Sequence, residues 1–143
     1  MTLNSDMFPD IQPGDTQRQS PDGYSALALA FIGDAVYELL VRSYIIGFGN
    51  KKVAALHEEC IQYVNADFQA QAGEKLLSVM TDDEAAVYRR AKNAHPAHVP
   101  KNKSVMQYQK ATAFEAVTGW LYLKKDFARI NEFFDIVIKD KTE

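Results

Sequence analysis

The stretch Ala26 to Ile46, ALALAFIGDAVYELLVRSYII, constrains the fold more than any other part of the chain, because charge interrupts its apolar run only at Asp34, Glu38 and Arg42. Those residues stand at i, i+4 and i+8, so a helix stacks them in one stripe while apolar side chains cover every other direction. The spacing predicts a helix inside a helical domain, showing only its charged edge. A membrane span fits poorly, since an acid at its centre would be costly and unpaired. Glu38 and Arg42 pair in the favourable order, whereas Asp34 and Glu38 are like charges one turn apart, so something must compensate Asp34. Ala28, Ala30, Gly33 and Ala35 surround it, small side chains that let another backbone, an ion or a phosphate come close. Taken alone, such an acid reads as one satisfied by hydrogen bonds where two helices cross.

A second acid in a matching setting changes that reading. Ser104 to Lys124, SVMQYQKATAFEAVTGWLYLK, is the other long apolar helix, and Ser104 with Gln107 has the pattern of a capping box at its start. Its one carboxylate, Glu115, has Ala111, Thr112, Thr118 and Gly119 as its neighbours one turn before and after. Glycine inside a helix costs about 1 kcal/mol against alanine, a loss explained by close packing on another element. If the two small-residue notches face each other, two carboxylates converge. Oxygen ligands of that kind suit Mg²⁺, or Mn²⁺, rather than zinc, which prefers Cys and His.

These residues also carry a family resemblance. Leu27 to Ala35, LALAFIGDA, resembles the signature stretch of the ribonuclease III catalytic domain, and Thr112 to Ala116, TAFEA, resembles that family's second acidic motif. The match is closest to the short bacterial branch called Mini-ribonuclease III, which lacks a double-stranded RNA-binding domain, and it covers about residues 24 to 140. Each motif alone is weakly specific, but the pair in this order and separation is a strong signal. The resemblance implies an all-α, homodimeric endonuclease domain that cuts double-stranded RNA with a divalent metal, and it carries catalytic and metal-binding roles onto Asp34 and Glu115 alone. Two positions depart from the full-length pattern. Ala30 stands where that pattern has a Glu, and Thr112 where it has an Asp. Two carboxylates can still hold one Mg²⁺ whose other ligands are water and phosphate oxygens, while a firmly held second ion loses its ligands. Both departures also occur in the Mini-ribonuclease III pattern.

The rest of the chain supports one domain. A length of 143 residues with 47% hydrophobic content allows a sizeable core and leaves no room for a second RNA-binding module. Residues 1–22 are rich in Asp, Ser, Pro and Gln without a sustained apolar period and read as a mobile leader, with the catalytic domain over 23–143. The single cysteine, Cys60, excludes an intrachain disulfide framework and reads as a small buried residue. No signal peptide, lipidation motif or membrane segment is visible, so the expected location is the cytoplasm. Val53, Leu56, Cys60 and Val64 give one helix an apolar face. Asn65 caps another helix through Met80, with Phe68, Ala72, Leu76 and Val79 as its buried row. Thr81 with Glu84 is a capping box opening a helix over 82–93, and Phe127, Ile130, Phe133, Phe134, Val137 and Ile138 keep the helical period over 126–139. No alternating strand pattern occurs, so the class is all-α.

Between the two acidic helices the chain changes character at Arg89 to Lys103, RRAKNAHPAHVPKNK, which holds five of the 16 Lys and Arg, two of the three His and no acid. In a chain of net charge −3 this is a segregated positive segment, and Pro96 and Pro100 place much of it on a loop. An ordinary solvated loop would look the same in isolation. This loop, however, leads directly into the helix of Glu115, where it can grip phosphates of A-form RNA by shape rather than by base. Arg90, Lys92, Asn93, Lys101 and Lys103 are the candidate RNA-binding residues, with Arg89 and His98 less central. The expectation is therefore an Mg²⁺-dependent endoribonuclease, needing no organic cofactor, whose substrate by resemblance is structured precursor RNA, 23S ribosomal RNA above all. A catalytically silent ribonuclease III-like domain that only binds RNA is the alternative. A helical phosphohydrolase of small nucleotides is weaker, because it relies on His-Asp metal clusters and this chain has three scattered histidines.

Overall fold

The computed structural model describes residues 20–94 and 104–142. Its helices are α1 (Ala26–Ile46), α2 (Val53–Ile61), α3 (Ala66–Leu76), α4 (Asp82–Lys92), α5 (Val105–Leu123) and α6 (Phe127–Thr142). Short 3₁₀ turns occupy Pro21–Gly23 and Leu77–Val79, and no strand occurs among the described residues. The expected all-α class is what the chain forms.

Helix α5 is the axis of the bundle, with α1, α3 and α4 packed around it. From Ala111 to Leu121 every residue of α5 is buried except Glu115, so the helix meets the surface at its acid. Tyr37 of α1 is fully buried, stands edge-on to Phe114 of α5 with ring centroids 4.9 Å apart, and donates its hydroxyl hydrogen to the Tyr63 carbonyl at 2.8 Å. That bond satisfies a phenol that burial would otherwise leave costly. Phe127, Ile130, Phe133 and Val137 bury the inner row of α6, so those residues are core. Cys60 is buried as expected.

Caps set the helix starts. The side chains of Ser25 and Asn65 accept hydrogen bonds from the backbone N–H of Ala28 and Phe68 at 3.1 and 2.8 Å. Thr81 and Glu84 form both halves of a capping box. Glu84 is only 3% exposed, and Arg129 of α6 donates two hydrogen bonds to its carboxylate at 2.9 Å. Burial alone would raise the Glu84 carboxyl, but the bonds from Arg129 and Thr81 together hold it below the usual carboxylate value. At Ser104 only half of the expected capping box forms. The hydroxyl accepts from the Gln107 N–H at 3.0 Å, but the Gln107 side chain turns away and donates to Asp67 of α3 at 2.8 Å.

Three further expectations are corrected. The helix expected to reach Met80 ends at Leu76 and tightens into the 3₁₀ turn, whose different pitch carries Val79 out of the buried row and into solvent. Val53 opens α2 but is exposed, and Val64 lies beyond that helix. The outer face of α1 is not purely charged, because Leu27, Phe31 and Leu39 are exposed beside Asp34 and Arg42, with Phe31 81% exposed. At the start of the described chain, Pro21–Gly23 packs onto α5, where Trp120 donates its indole N–H to Asp22 at 2.9 Å. Pro21 and Asp22, within the stretch read as leader, therefore pack with the helices, and residues 1–19 of that stretch lie outside the described residues.

Candidate active site

The site is built by two glycines. A Cβ placed on Gly33 of α1 would lie 1.8 Å from the Glu115 carbonyl oxygen, and one on Gly119 of α5 would lie 2.0 Å from the Leu29 carbonyl oxygen. Neither is sterically possible, so α1 and α5 cross backbone against backbone, and only glycine permits it. Asp34 follows Gly33 directly, and Glu115 lies one turn before Gly119. The crossing therefore brings the two sequence-predicted acids together, with Asp34 exposed at the mouth and Glu115 half-buried beneath it.

Their electrostatics record that closeness. The Glu115 carboxyl is pushed up to about 8, first by burial, then by the negative charge of Asp34 and a hydrogen bond between the two carboxyl groups. A bond from Gln69 opposes the rise. Gln69, on α3, is 5% exposed and donates its Nε2 hydrogen to Oε2 of Glu115 at 3.2 Å. Tyr37, also near Glu115, is raised above the normal tyrosine range, mainly by burial.

Two carboxyl groups this close hold either a shared proton or a cation. Their oxygens fit a hard divalent ion, and two side-chain ligands leave its remaining positions to water or substrate. Among the described residues no group of three or more His, Cys, Asp or Glu is arranged to hold an ion. Ala30 and Thr112, where the longer pattern has acids, are both buried. A cavity of about 530 Å³ opens elsewhere, between the 3₁₀ turn at Pro21, α4 and the end of α5, and neither acid lines it.

The sequence from residue 27 to 126 matches the model of the ribonuclease III domain. The chain belongs to the ribonuclease III family. It is 37% identical over 115 residues to a Mini-ribonuclease 3 of Thermoanaerobacter sp. (strain X514), an alignment covering 80% of this chain and 81% of the relative. It is 36% identical over 117 residues to the Mini-ribonuclease 3 of Enterococcus faecalis, covering 80% of this chain and 89% of the relative. A crystal structure of a Fusobacterium nucleatum protein superimposes with a TM-score of 0.78 at 35% identity, covering 85% of this chain and 99% of the other. Membership of the ribonuclease III family makes the chain an endoribonuclease.

The remaining candidates divide by place. Arg89, Arg90, Lys92 and Asn93 lie at the C-terminal end of α4. Arg90 is exposed but donates to the Tyr24 carbonyl at 3.3 Å, and Lys92 is half-buried. Lys101, Lys103 and His98 lie outside the described residues. Gln69 was not among the candidates. The run of small residues Ala70, Ala72 and Gly73 marks close packing of this segment, but it carries two amides, Gln69 and Gln71, and the sequence does not say which of them turns inward.

Proposed function

We propose that this endoribonuclease hydrolyses phosphodiesters of double-stranded RNA in the cytoplasm, with Asp34 and Glu115 holding Mg²⁺, or Mn²⁺, and that its substrate is structured precursor RNA of the 23S ribosomal class. The observation that carries the reading is the meeting of the two carboxylates at the glycine crossing of α1 and α5. Asp34 and Glu115 would hold the divalent ion, which would supply an acidified water as nucleophile and positive charge toward the scissile phosphate. Asp34, exposed, presents its carboxylate at the surface where a duplex backbone can reach it. Glu115, half-buried, anchors the inner side, where its charge is screened less than that of Asp34. A twofold dimer places one such site against each strand, and the exposed apolar side chains Leu27, Phe31 and Leu39 supply a self-complementary face. Arg90, Lys92, Asn93, Lys101 and Lys103 would meet the phosphates, reading the shape of the A-form helix.

The test is cleavage of a long duplex RNA with and without Mg²⁺ by the wild type, Asp34→Asn and Glu115→Gln. Both amides keep shape and hydrogen-bonding capacity while removing the charge a hard cation needs, so each should lower cleavage by about 100-fold or more, with folding and duplex affinity retained. A folded, RNA-binding variant that still cleaves at the wild-type rate would remove that acid from the site.

A further inference from the structure

One hydrogen bond ties α3 to the acid pair. The outer seam between α3 and α5 carries Asp67 with Gln107 at 2.8 Å and Glu74 with Lys110, contacts at exposed positions that already register the two helices. Gln69 lies deeper on the same seam, nearly sealed from solvent. Its depth follows from Gly73 one turn on, where a Cβ would sit 3.0 Å from the Tyr88 ring and 3.2 Å from Cβ of Phe114, so that α3 lies flush on the bundle. A primary amide buried there is costly unless its donors are used, and the partner it finds is Oε2 of Glu115.

We propose that Gln69 is a positioning residue of the active site, tying Oε2 of Glu115 so that the carboxylate presents itself to the cation and its water in one orientation. The inference rests on reading Asp34 and Glu115 as the cation site. With the proton between Asp34 and Glu115 replaced by the ion, Gln69 on α3 is the partner that still holds Glu115, and the amide reaches the ion only through the carboxylate. Second partners of this kind fix ligand orientation, and their loss costs metal affinity even though they never touch the metal. The effect weighs more heavily here because among the described residues the proposed site has two carboxylates, so a Glu115 free to rotate would leave the ion with half of those ligands misaligned.

The experiment uses the full chain with Gln69→Met, which keeps length and apolar bulk but removes the donor, and Gln69→Asn, which keeps the amide but withdraws it by one methylene. Mn²⁺ binding to the RNA-free protein is followed by electron paramagnetic resonance, and cleavage is measured against both Mg²⁺ and duplex concentration. Both variants should bind Mn²⁺ about 10-fold more weakly. Half-saturation by Mg²⁺ should rise in step, kcat at limiting Mg²⁺ should fall and recover as Mg²⁺ is raised, and KM for the duplex should not change. A residue that only packs would lower the melting temperature without moving the Mg²⁺ dependence. Should either folded variant bind Mn²⁺ and respond to Mg²⁺ as the wild type does, the positioning role is wrong. Glu115→Gln, measured alongside, separates the two readings: if it loses Mn²⁺ while the Gln69 variants keep it, only the role of Gln69 falls. If it binds Mn²⁺ like the wild type, the cation site falls and the role of Gln69 with it.

Discussion

Glu115 is most comfortable protonated when no cation is present. Its carboxyl stands at about 8 in the folded protein against an ordinary value of 4.5, so between those values the folded chain holds a proton that the unfolded chain has released. Stability from this group is therefore fully present below 4.5 and is lost as pH rises through the window to about 8. Without metal, the melting temperature of the wild type should fall from pH 5 to pH 8.5. Glu115→Gln should flatten that fall and be at least as stable as the wild type at the upper end. A wild-type profile no steeper than that of the amide variant would show that Glu115 ionises normally. At this scale the sequence was legible where polarity broke an apolar run, as Asp34 and Glu115 both do. Gln69 escaped because an uncharged amide beside Phe68 looks like any residue at the margin of a helix face, and only the depth of α3 against α5 makes it costly and therefore informative.

At the scale of elements, the crossing of α1 and α5 depends on two hydrogen atoms where every other residue of these two helices carries carbon. Gly33→Ala gains up to about 1 kcal/mol of helix propensity. Against that, it drives a methyl to 1.8 Å from the Glu115 carbonyl oxygen, which is backbone and cannot rotate away. The net result should be a loss of about 3 kcal/mol or more in urea unfolding, or failure to fold. Gly73→Ala, whose new methyl would meet the Tyr88 ring and Phe114 Cβ at 3.0 and 3.2 Å, should cost less because the overlap is far smaller and the Tyr88 ring can yield. Equal costs at the two positions would mean that the α1–α5 contact is looser than described. The helices themselves were legible from period and caps, because Asn65, Thr81 and Ser104 each carry a chemistry that works only at a start. What escaped was the choice among competing partners. Gln107 could have closed its own capping box, and only the arrival of Asp67 from α3 decided otherwise. Likewise an apolar period of 3.6 residues runs on through Val79, while the backbone there has already changed pitch.

For the whole molecule, the apolar pattern announced an all-α bundle but could not say what each apolar face would meet. Periodicity demands burial without naming the partner, so Phe127 and Phe133 turn into the core while Phe31 and Leu27 face outward among charges. A second copy of the chain is the occupant we propose for that outer face, since large exposed apolar groups side by side are stable only when covered. Light scattering at micromolar concentration should give about twice the chain mass of 16.1 kDa. Phe31→Asp should shift the protein to monomer with its helix content intact. A wild-type monomer that cuts both strands of a duplex would defeat the paired-site arrangement. No helix among the described residues is long and apolar enough to cross a membrane, which agrees with an acid in the middle of α1.

The contact at Gly33 and Gly119 has a mechanical meaning. Side chains between two helices act as springs, and small sliding motions deform them cheaply. Where carbonyl oxygen rests directly against the opposing backbone, the helices meet a hard stop, and neither can approach further nor shift along its axis without first lifting away. The spacing between the backbones that carry Asp34 and Glu115 is thus a property of the frame, while Gln69 holds the Glu115 carboxylate within it. A rigid gap grips a small ion of strict geometry and accommodates a larger, more flexibly coordinated one poorly. On the proposed cation site, selectivity for ion size would then belong to the two residues of the crossing that have no side chain at all.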